Sequence, residues 1–577
     1  MADHPVFLLG KMPPNNGFAR RFGLLIIAAL ALLLLLPGTG AIPLIDRDEP
    51  RFTEATREMI EGGEWFVPYF NGDYRFDKPV LTYWLMTPGL LLTKHLPSLT
   101  PELGARLHSI LFTILLGWVV FLMGQRWFSS RTGLFAGIGI VSCAQMIMHG
   151  RSAVADMPMV LCVALSMWAL YELLHAETPP RRYGGWFFML YLSLGFGFLA
   201  KGPVAWLIPL LSLLLYRFLL GRRKLPWRHL QLPDGLAIAL AIVGIWGIPA
   251  LIKTQGLFWQ KGMGEHVMER GFSTMAGFGH FFFYYLLSAF ISLFPWIACA
   301  GFAFAHLRKH WNAHNAYLCS WALSTYLFFS FYFTQLPHYV MPAFAALFLL
   351  LGQLAEGENH FPRWTHRWFR TVLLVPTILA SVIFLFALLY PFEPVYLPIR
   401  HLLLAASLGL AGLIVMGLTP KRGKHALLIY GTLLLALALT LTGRTLRNAS
   451  VTEKVGAFVK LLPEETRLYA TGFNEPGVVF YSHRRWNFRP DPDEVMLEGM
   501  NTPGPCAILL LESEKKPDYF FRHLARTRFD WNAPQREKNH TKENEQLPTD
   551  GFNTLFFEGF NPARTSWATV RLYYREN

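Results

Sequence analysis

The chain has 577 residues, of which 53% are hydrophobic, 15% aromatic and only 16% charged. That balance excludes a soluble globular protein, a disordered segment and a fibrous repeat, and it identifies a polytopic membrane protein with chain left over for one soluble domain. A net charge of +14 would point to nucleic acid in a soluble protein, but here the basic residues cluster in short loops between apolar runs, so membrane topology accounts for them and no nucleic-acid partner is expected.

In chain order, the first apolar run, Phe22 to Pro43, follows Lys11, Arg20 and Arg21 and has no small-x-small cleavage site at its end. It reads as a retained signal anchor. Directly after it, residues 46–86 carry more charge than a membrane interior tolerates, so this segment works at the surface. Asp48 and Glu49 stand at a helix N-cap, Pro50 suits the first turn, and Gly62-Gly63 supply the stop. Phe52, Ala55, Thr56, Met59 and Ile60 repeat on one helical face, with Arg51, Glu54, Arg57, Glu58 and Glu61 opposite, the pattern of an interfacial amphipathic helix. Lys78-Pro79 then opens a second helix, and a lysine beside a helix N-terminus is a good place for a phosphate. Asp48 and Lys78 thus read as an acid facing a phosphate clamp. The competing reading is a surface helix whose charges only anchor it.

Runs of spanning length, about twenty residues each, fall near 22–43, 104–124, 132–148, 157–175, 186–200, 203–219, 235–252, 280–305, 315–333, 338–354, 371–391, 400–419 and 425–443, which makes about thirteen. With the N-terminus in the cytoplasm, the most basic connections (Arg126/Arg131, Arg181/Arg182, 217–228, Arg308/Lys309, 363–370 and 421–424) all fall inside, as the positive-inside rule requires. The same orientation gathers Asp48, Lys78, Arg151, Asp156, Lys201, Glu265, His266, Arg270, His338 and Tyr339 on the outer face, a convergence that suggests a site. Singly, each is ambiguous. Asp156 fits an N-cap, Lys201-Gly202-Pro203 a turn with a snorkelling lysine, and Tyr339 an aromatic belt or a phosphate donor. The acid and imidazole of Glu265-His266 are by themselves a weak zinc signal.

The tail, 446–577, changes composition abruptly. RLYATG, PGVVFYSH and CAILLLES suggest a small α/β unit of strands and helices, while QREKNHTKENEQ reads as a mobile polar loop. Five cysteines, Cys143, Cys162, Cys299, Cys319 and Cys506, show neither a disulfide framework nor metal-binding spacing.

Taken together, DEPRF, DKPVLTYW about thirty residues on, HGRSAVADMP, AKGPVAW, EHVMERGF and QLPHYVMPAFAAL resemble the GT-C fold membrane glycosyltransferases, in the branch containing the bacterial lipid A 4-amino-4-deoxy-L-arabinose transferases and relatives of the protein O-mannosyltransferase type. The resemblance covers roughly residues 20–445. It implies a polytopic α-helical GT-C protein with about 13 transmembrane helices: a catalytic domain over 1–445, whose amphipathic first outer loop is 44–103, and a small periplasmic α/β domain over 446–577. It also implies a multi-pass protein of the bacterial inner membrane, expected as a monomer. Such enzymes pass a sugar from a polyprenyl phosphate, here undecaprenyl phosphate, to an acceptor on the outer side with inversion. Aminoarabinose and lipid A (lipopolysaccharide) are the first expectation; another carrier-linked sugar, or a protein or other envelope-glycan acceptor, is the alternative.

By that resemblance Asp48 matches the essential first-loop acid, and Asp156 a second catalytic acid. Lys78, Arg270 and Tyr339, with Arg51 in support, match positions that hold the carrier phosphate. Glu49, Lys201 and His338 line the cavity. A divalent metal, zinc or magnesium, is implied at Asp77 and His266. Asp77 stands where a glutamate is usual, a shorter side chain that bears on the metal, and QLPHY stands where KLPTY is usual, which leaves the sugar open. From a different class, a transporter or lipid flippase would share the hydropathy, but it would be expected to show inverted repeats and midplane charges rather than charges gathered outside.

Overall fold

The computed structural model describes residues 17–45, 47–219, 226–268, 281–357, 361–373, 447, 449–515, 551–561, 563–564 and 566–576. Its elements in chain order are α1 (Gly17–Leu35), α2 (Asp48–Gly62), the two-residue strands β1 (Tyr69–Phe70) and β2 (Asp73–Tyr74), α3 (Leu81–His95), α4 (Pro101–Trp127), α5 (Ser130–Ser142), α6 (Ala144–Gly150), α7 (Asp156–Leu174), α8 (Gly185–Lys201), α9 (Val204–Leu219) and α10 (Leu232–Lys253). A π-helical stretch, Phe258–Met268, follows, then α11 (Tyr284–Ser292), α12 (Ala300–Lys309), α13 (Ala313–Ser330), a 3-10 turn at Pro337–Ala343 and α14 (Phe344–Gly352). The tail carries α15 (Val451–Val459), β3 (Arg467–Thr471), α16 (Pro476–Ser482), β4 (Trp486–Phe488), α17 (Pro492–Asn501), β5 (Cys506–Lys515), β6 (Asn553–Asn561) and β7 (Ser566–Arg575).

Among the described residues five helical stretches are long and apolar enough to cross a membrane, or seven if two bent pairs each count as one span. The run expected at 132–148 is one of those pairs, α5 and α6 meeting at 61°, and the run at 280–305 is the other, bent by 112° after α11. The runs at 186–200 and 203–219 are separate short helices: α8 ends at Lys201 because Gly202 takes φ +80°, and α9 starts at Val204. The runs at 371–391, 400–419 and 425–443 lie outside the described residues.

The chain divides into two compact units. The first takes its described residues from 1–37, 76–85 and 106–439. Within it, α7 packs along α8 and α9, and α13 along α9. Arg151, expected among the outer-face charges, is buried here: its Nε donates to the carbonyl of Leu34 at 3.0 Å, near the C-terminal end of α1. A cation on unpaired helix-end carbonyls satisfies acceptors that have no intrahelical donor.

The second unit draws on 38–75, 86–105 and 440–577. Its sheet has the order β4-β3-β5-β7-β6, with β3 parallel to both β4 and β5, and β7 antiparallel to both β5 and β6. Strand alternation divides the core in two. Leu468, Ala470, Ala507 and Leu509 join Val455 and Val459 of α15 and Val478 and Val479 of α16 on one face. Tyr469 and Ile508 join Val495 and Met496 of α17 on the other.

In the same unit α2 packs against α16. Phe52, Ala55, Thr56 and Met59 are buried as their spacing predicts, and Gly63 at φ +67° ends the helix. Glu54 departs from expectation. Set on the polar face by the periodicity, it is 1% exposed and gripped by Arg57, whose Nε donates to Oε2 at 2.9 Å while Nη1 donates to Glu61 at 2.8 Å. Its "solvent" side is covered, so α2 is a packed helix of this unit rather than one lying alone at the interface. Glu58 accepts from the Asn71 and Gly72 amides at 2.6 and 3.1 Å, bracing the β1–β2 turn in which both residues have positive φ.

Candidate functional site

Charged and imidazole side chains converge in the first unit. Asp156 is the first residue of α7, where a carboxylate meets the positive end of the helix. Lys201 closes α8, and its ammonium donates to Asp156 Oδ1 in an ion pair with side-chain exposures of 15% and 7%. Because α7 and α8 pack side by side, the last residue of one reaches the first residue of the other. The 3-10 turn then adds two groups: Tyr339, whose ring centre lies 5.5 Å from the Lys201 ammonium, and His338. From α6 comes His149, its ring 4.9 Å from that of His338. One ligand atom from each of His149, Asp156 and His338 lies within 4.8 Å of the others.

Behind these groups is a supporting layer. The Gln145 carboxamide nitrogen is 2.9 Å from His149 Nδ1, and Ser292 Oγ donates to the Gln145 oxygen at 3.0 Å. Gln145 and Ser292 are both buried. His108 Nε2 lies 3.1 Å from the Val154 carbonyl, holding the loop that leads into Asp156.

Lys78 is close enough to His338 for its charge to act on that ring. It and Asp77 are half-buried in the bend before α3. That helix starts at Leu81, two residues beyond Pro79. Phe76 stacks edge-on against Phe258 at 5.7 Å and fixes the segment to the π-helical stretch. The structure therefore brings Asp156, Lys201, His338 and Tyr339 into one neighbourhood, with Lys78 in electrostatic range of His338.

Asp48, Glu49 and Arg51 belong to the other unit. Asp48 is half-buried at the start of α2, and Glu49 is committed to the backbone, its Oε2 accepting from the Ile45 amide at 2.6 Å. Arg270 lies outside the described residues, as does the side chain of His266. The expected pairing of Asp77 with His266 around a metal therefore lies outside the described residues. Sequence reasoning passed over His149, although it stands in HGRSAVADMP seven residues before Asp156. Its only signal was a ring-bearing residue at the outer end of a span.

The fold is similar to that of solved ArnT structures. The crystal structure of ArnT from Cupriavidus metallidurans bound to undecaprenyl phosphate superposes with a TM-score of 0.69, covering 95% of this chain and 97% of that one at 19% identity. Residues 77–246 match the dolichyl-phosphate-mannose-protein mannosyltransferase family.

More narrowly, the chain resembles the undecaprenyl phosphate-α-4-amino-4-deoxy-L-arabinose arabinosyl transferases. It is 28% identical to that of Enterobacter sp. (strain 638) over 361 residues, 61% of this chain and 63% of the relative. With that of Pseudomonas aeruginosa (strain LESB58) it shares 30% over 339 residues, 57% and 58% of the two chains. The chain thus matches less than two thirds of the length of these curated relatives.

Proposed function

We propose that the protein is an inverting glycosyltransferase of the inner membrane that moves a sugar from a polyprenyl-phosphate carrier to an acceptor on the periplasmic side. The favoured sugar is 4-amino-4-deoxy-L-arabinose and the favoured acceptor a lipid A phosphate. The observation that carries this reading is the clustering of Lys201 and Tyr339 with Asp156 and His338, with Lys78 in electrostatic range of that imidazole, in a chain similar to the aminoarabinosyl transferases. In this reading residues 1–445 form the membrane domain, with the N-terminus cytoplasmic, and 446–577 form a periplasmic domain.

The chemistry asks for little more than such a cluster. A polyprenyl phosphate leaves readily once its developing charge is neutralised, and one well-placed donor lowers the barrier by roughly 2.7–4 kcal/mol. Lys78 and Tyr339, with Arg51 and Arg270, take that role. Lys201 holds Asp156 ionised and in place. Asp48 deprotonates a hydroxyl acceptor, or orients an acceptor that is already an anionic phosphate. A protein acceptor is the second reading, favoured by the mannosyltransferase match over 77–246.

The test is transfer in reconstituted vesicles from polyprenyl-phosphate aminoarabinose to lipid A, read by mass spectrometry, with wild type, Asp48→Asn and Lys78→Ala compared. A mass gain of one aminoarabinose, absent in both variants, supports reaction, substrate and site together. A folded wild type that gives no product removes the aminoarabinose assignment, and product from Lys78→Ala at the wild-type rate removes the phosphate clamp.

A further inference from the structure

His149, Asp156 and His338 come from three separate elements, yet their ligand atoms lie within 4.8 Å of one another. Two imidazoles and one carboxylate form the donor set of open zinc sites, in which three protein ligands leave a fourth position for water or an anion. We infer that His149, Asp156 and His338 hold a divalent cation of the zinc class, a ligand set that includes neither Asp77 nor a residue of the π-helical stretch.

Two further observations support ligation. Metal-bound imidazoles give their second ring N–H to an oxygen, and metal-bound carboxylates are themselves hydrogen-bonded. The buried Gln145–Ser292 pair stands at His149 Nδ1. A half-turn of the Gln145 carboxamide puts its oxygen on Nδ1–H and its nitrogen on the Ser292 hydroxyl, and Nε2 is then the nitrogen that ligates. Lys201 occupies Oδ1 of Asp156 and leaves Oδ2 for the cation. Lys201 also sets the charge of the site. It already neutralises Asp156, so a bound dication leaves the cluster cationic, and its fourth position selects an anion. Tetrahedral closure needs ligand atoms about 3.3 Å apart, from metal–ligand lengths of about 2.0–2.1 Å. The rings of His149 and His338 therefore draw together on binding.

The test uses the full chain in detergent micelles, stripped with a chelator, loaded with zinc chloride and dialysed, with metal counted by mass spectrometry. Wild type and Asp77→Asn should retain about one zinc per chain, while His149→Gln and His338→Gln should fall to background. His338→Asp, which keeps a ligand, should recover binding and separates lost ligation from lost folding. Loading with cobalt should give wild type the visible absorption of a tetrahedral site, and the two glutamine variants should lack it. Zinc at background in wild type, or zinc retained by both glutamine variants, overturns the assignment. So does zinc lost in Asp77→Asn alone. None of these readouts depends on glycosyl transfer, so failure here and failure of the proposed activity are distinguishable.

Discussion

Asn71 and Trp486 exchange two hydrogen bonds of 2.8 Å each: Asn71 Nδ2 donates to the Trp486 carbonyl, and the Trp486 amide donates to Asn71 Oδ1. A side-chain amide thus extends the edge of β4 as a peptide group would. Replacing Asn71 with alanine leaves two backbone groups of the tail without their protein partner, a loss of about 1–3 kcal/mol. Hydrogen exchange should quicken at Trp486 and through residues 69–74, and the thermal transition should fall. Unchanged protection at Trp486 would contradict the clamp.

The Lys201–Asp156 pair should show strong coupling in chelator-treated protein. Removing one partner of a buried pair strands the other charge, at a cost of roughly 3–5 kcal/mol. Lys201→Met and Asp156→Asn should each lower thermal stability, and the double variant should lose much less than the two singles combined. Additive losses would mean that the two groups do not interact.

Glu54 supplies a pH dependence with a definite sign. Burial raises its pKa, and the hydrogen bonds and charge of Arg57 only partly offset this. The folded carboxyl therefore keeps its proton to higher pH than the unfolded one. Its contribution is fully present below the unfolded value near 4.5 and is lost as pH rises through the raised folded value. The melting temperature of wild type relative to Glu54→Gln should accordingly decline on going from pH 4 to pH 7. A flat difference would show that Arg57 cancels the burial completely.

Gly89 and Gly104 let α3 and α4 touch backbone to backbone. A Cβ on Gly104 would stand 2.6 Å from the Gly89 carbonyl oxygen. Gly104→Ala should cost about 1–3 kcal/mol through overpacking, seen as a lowered melting temperature in detergent. Close approach of small residues is a principal means by which helices associate in lipid.

Where the sequence was legible, a local rule was enough. Phe52, Ala55, Thr56 and Met59 show the 3.6 period, Gly63 ends its helix, and Lys201-Gly202 ends another. What it hid was settled by partners distant in the chain. Glu54 looks like a solvent residue until its unit packs around it, α16, more than 400 positions later, lying against the same helix. Arg151 looks like part of the site until Leu34 claims its guanidinium. His149 carried no periodic signature, because its partners, Asp156 and His338, come from other elements. Asp156, Lys201, His338 and Tyr339 were found as candidates because ionisable and aromatic groups at span ends are few, but their pairing was not written in any spacing.

The joining of the first loop to the tail limits how the chain is threaded. Leu44 donates its amide to the Tyr481 hydroxyl, 437 positions away, and Asn71 is bound to Trp486, 415 positions away. An open five-stranded sheet cannot sit in hydrocarbon, so both ends of each link share one aqueous compartment. A path that leaves a bilayer surface and returns to it crosses an even number of times. Reporter tags placed beside Asn71 and after the last strand must be labelled from the same side of the membrane.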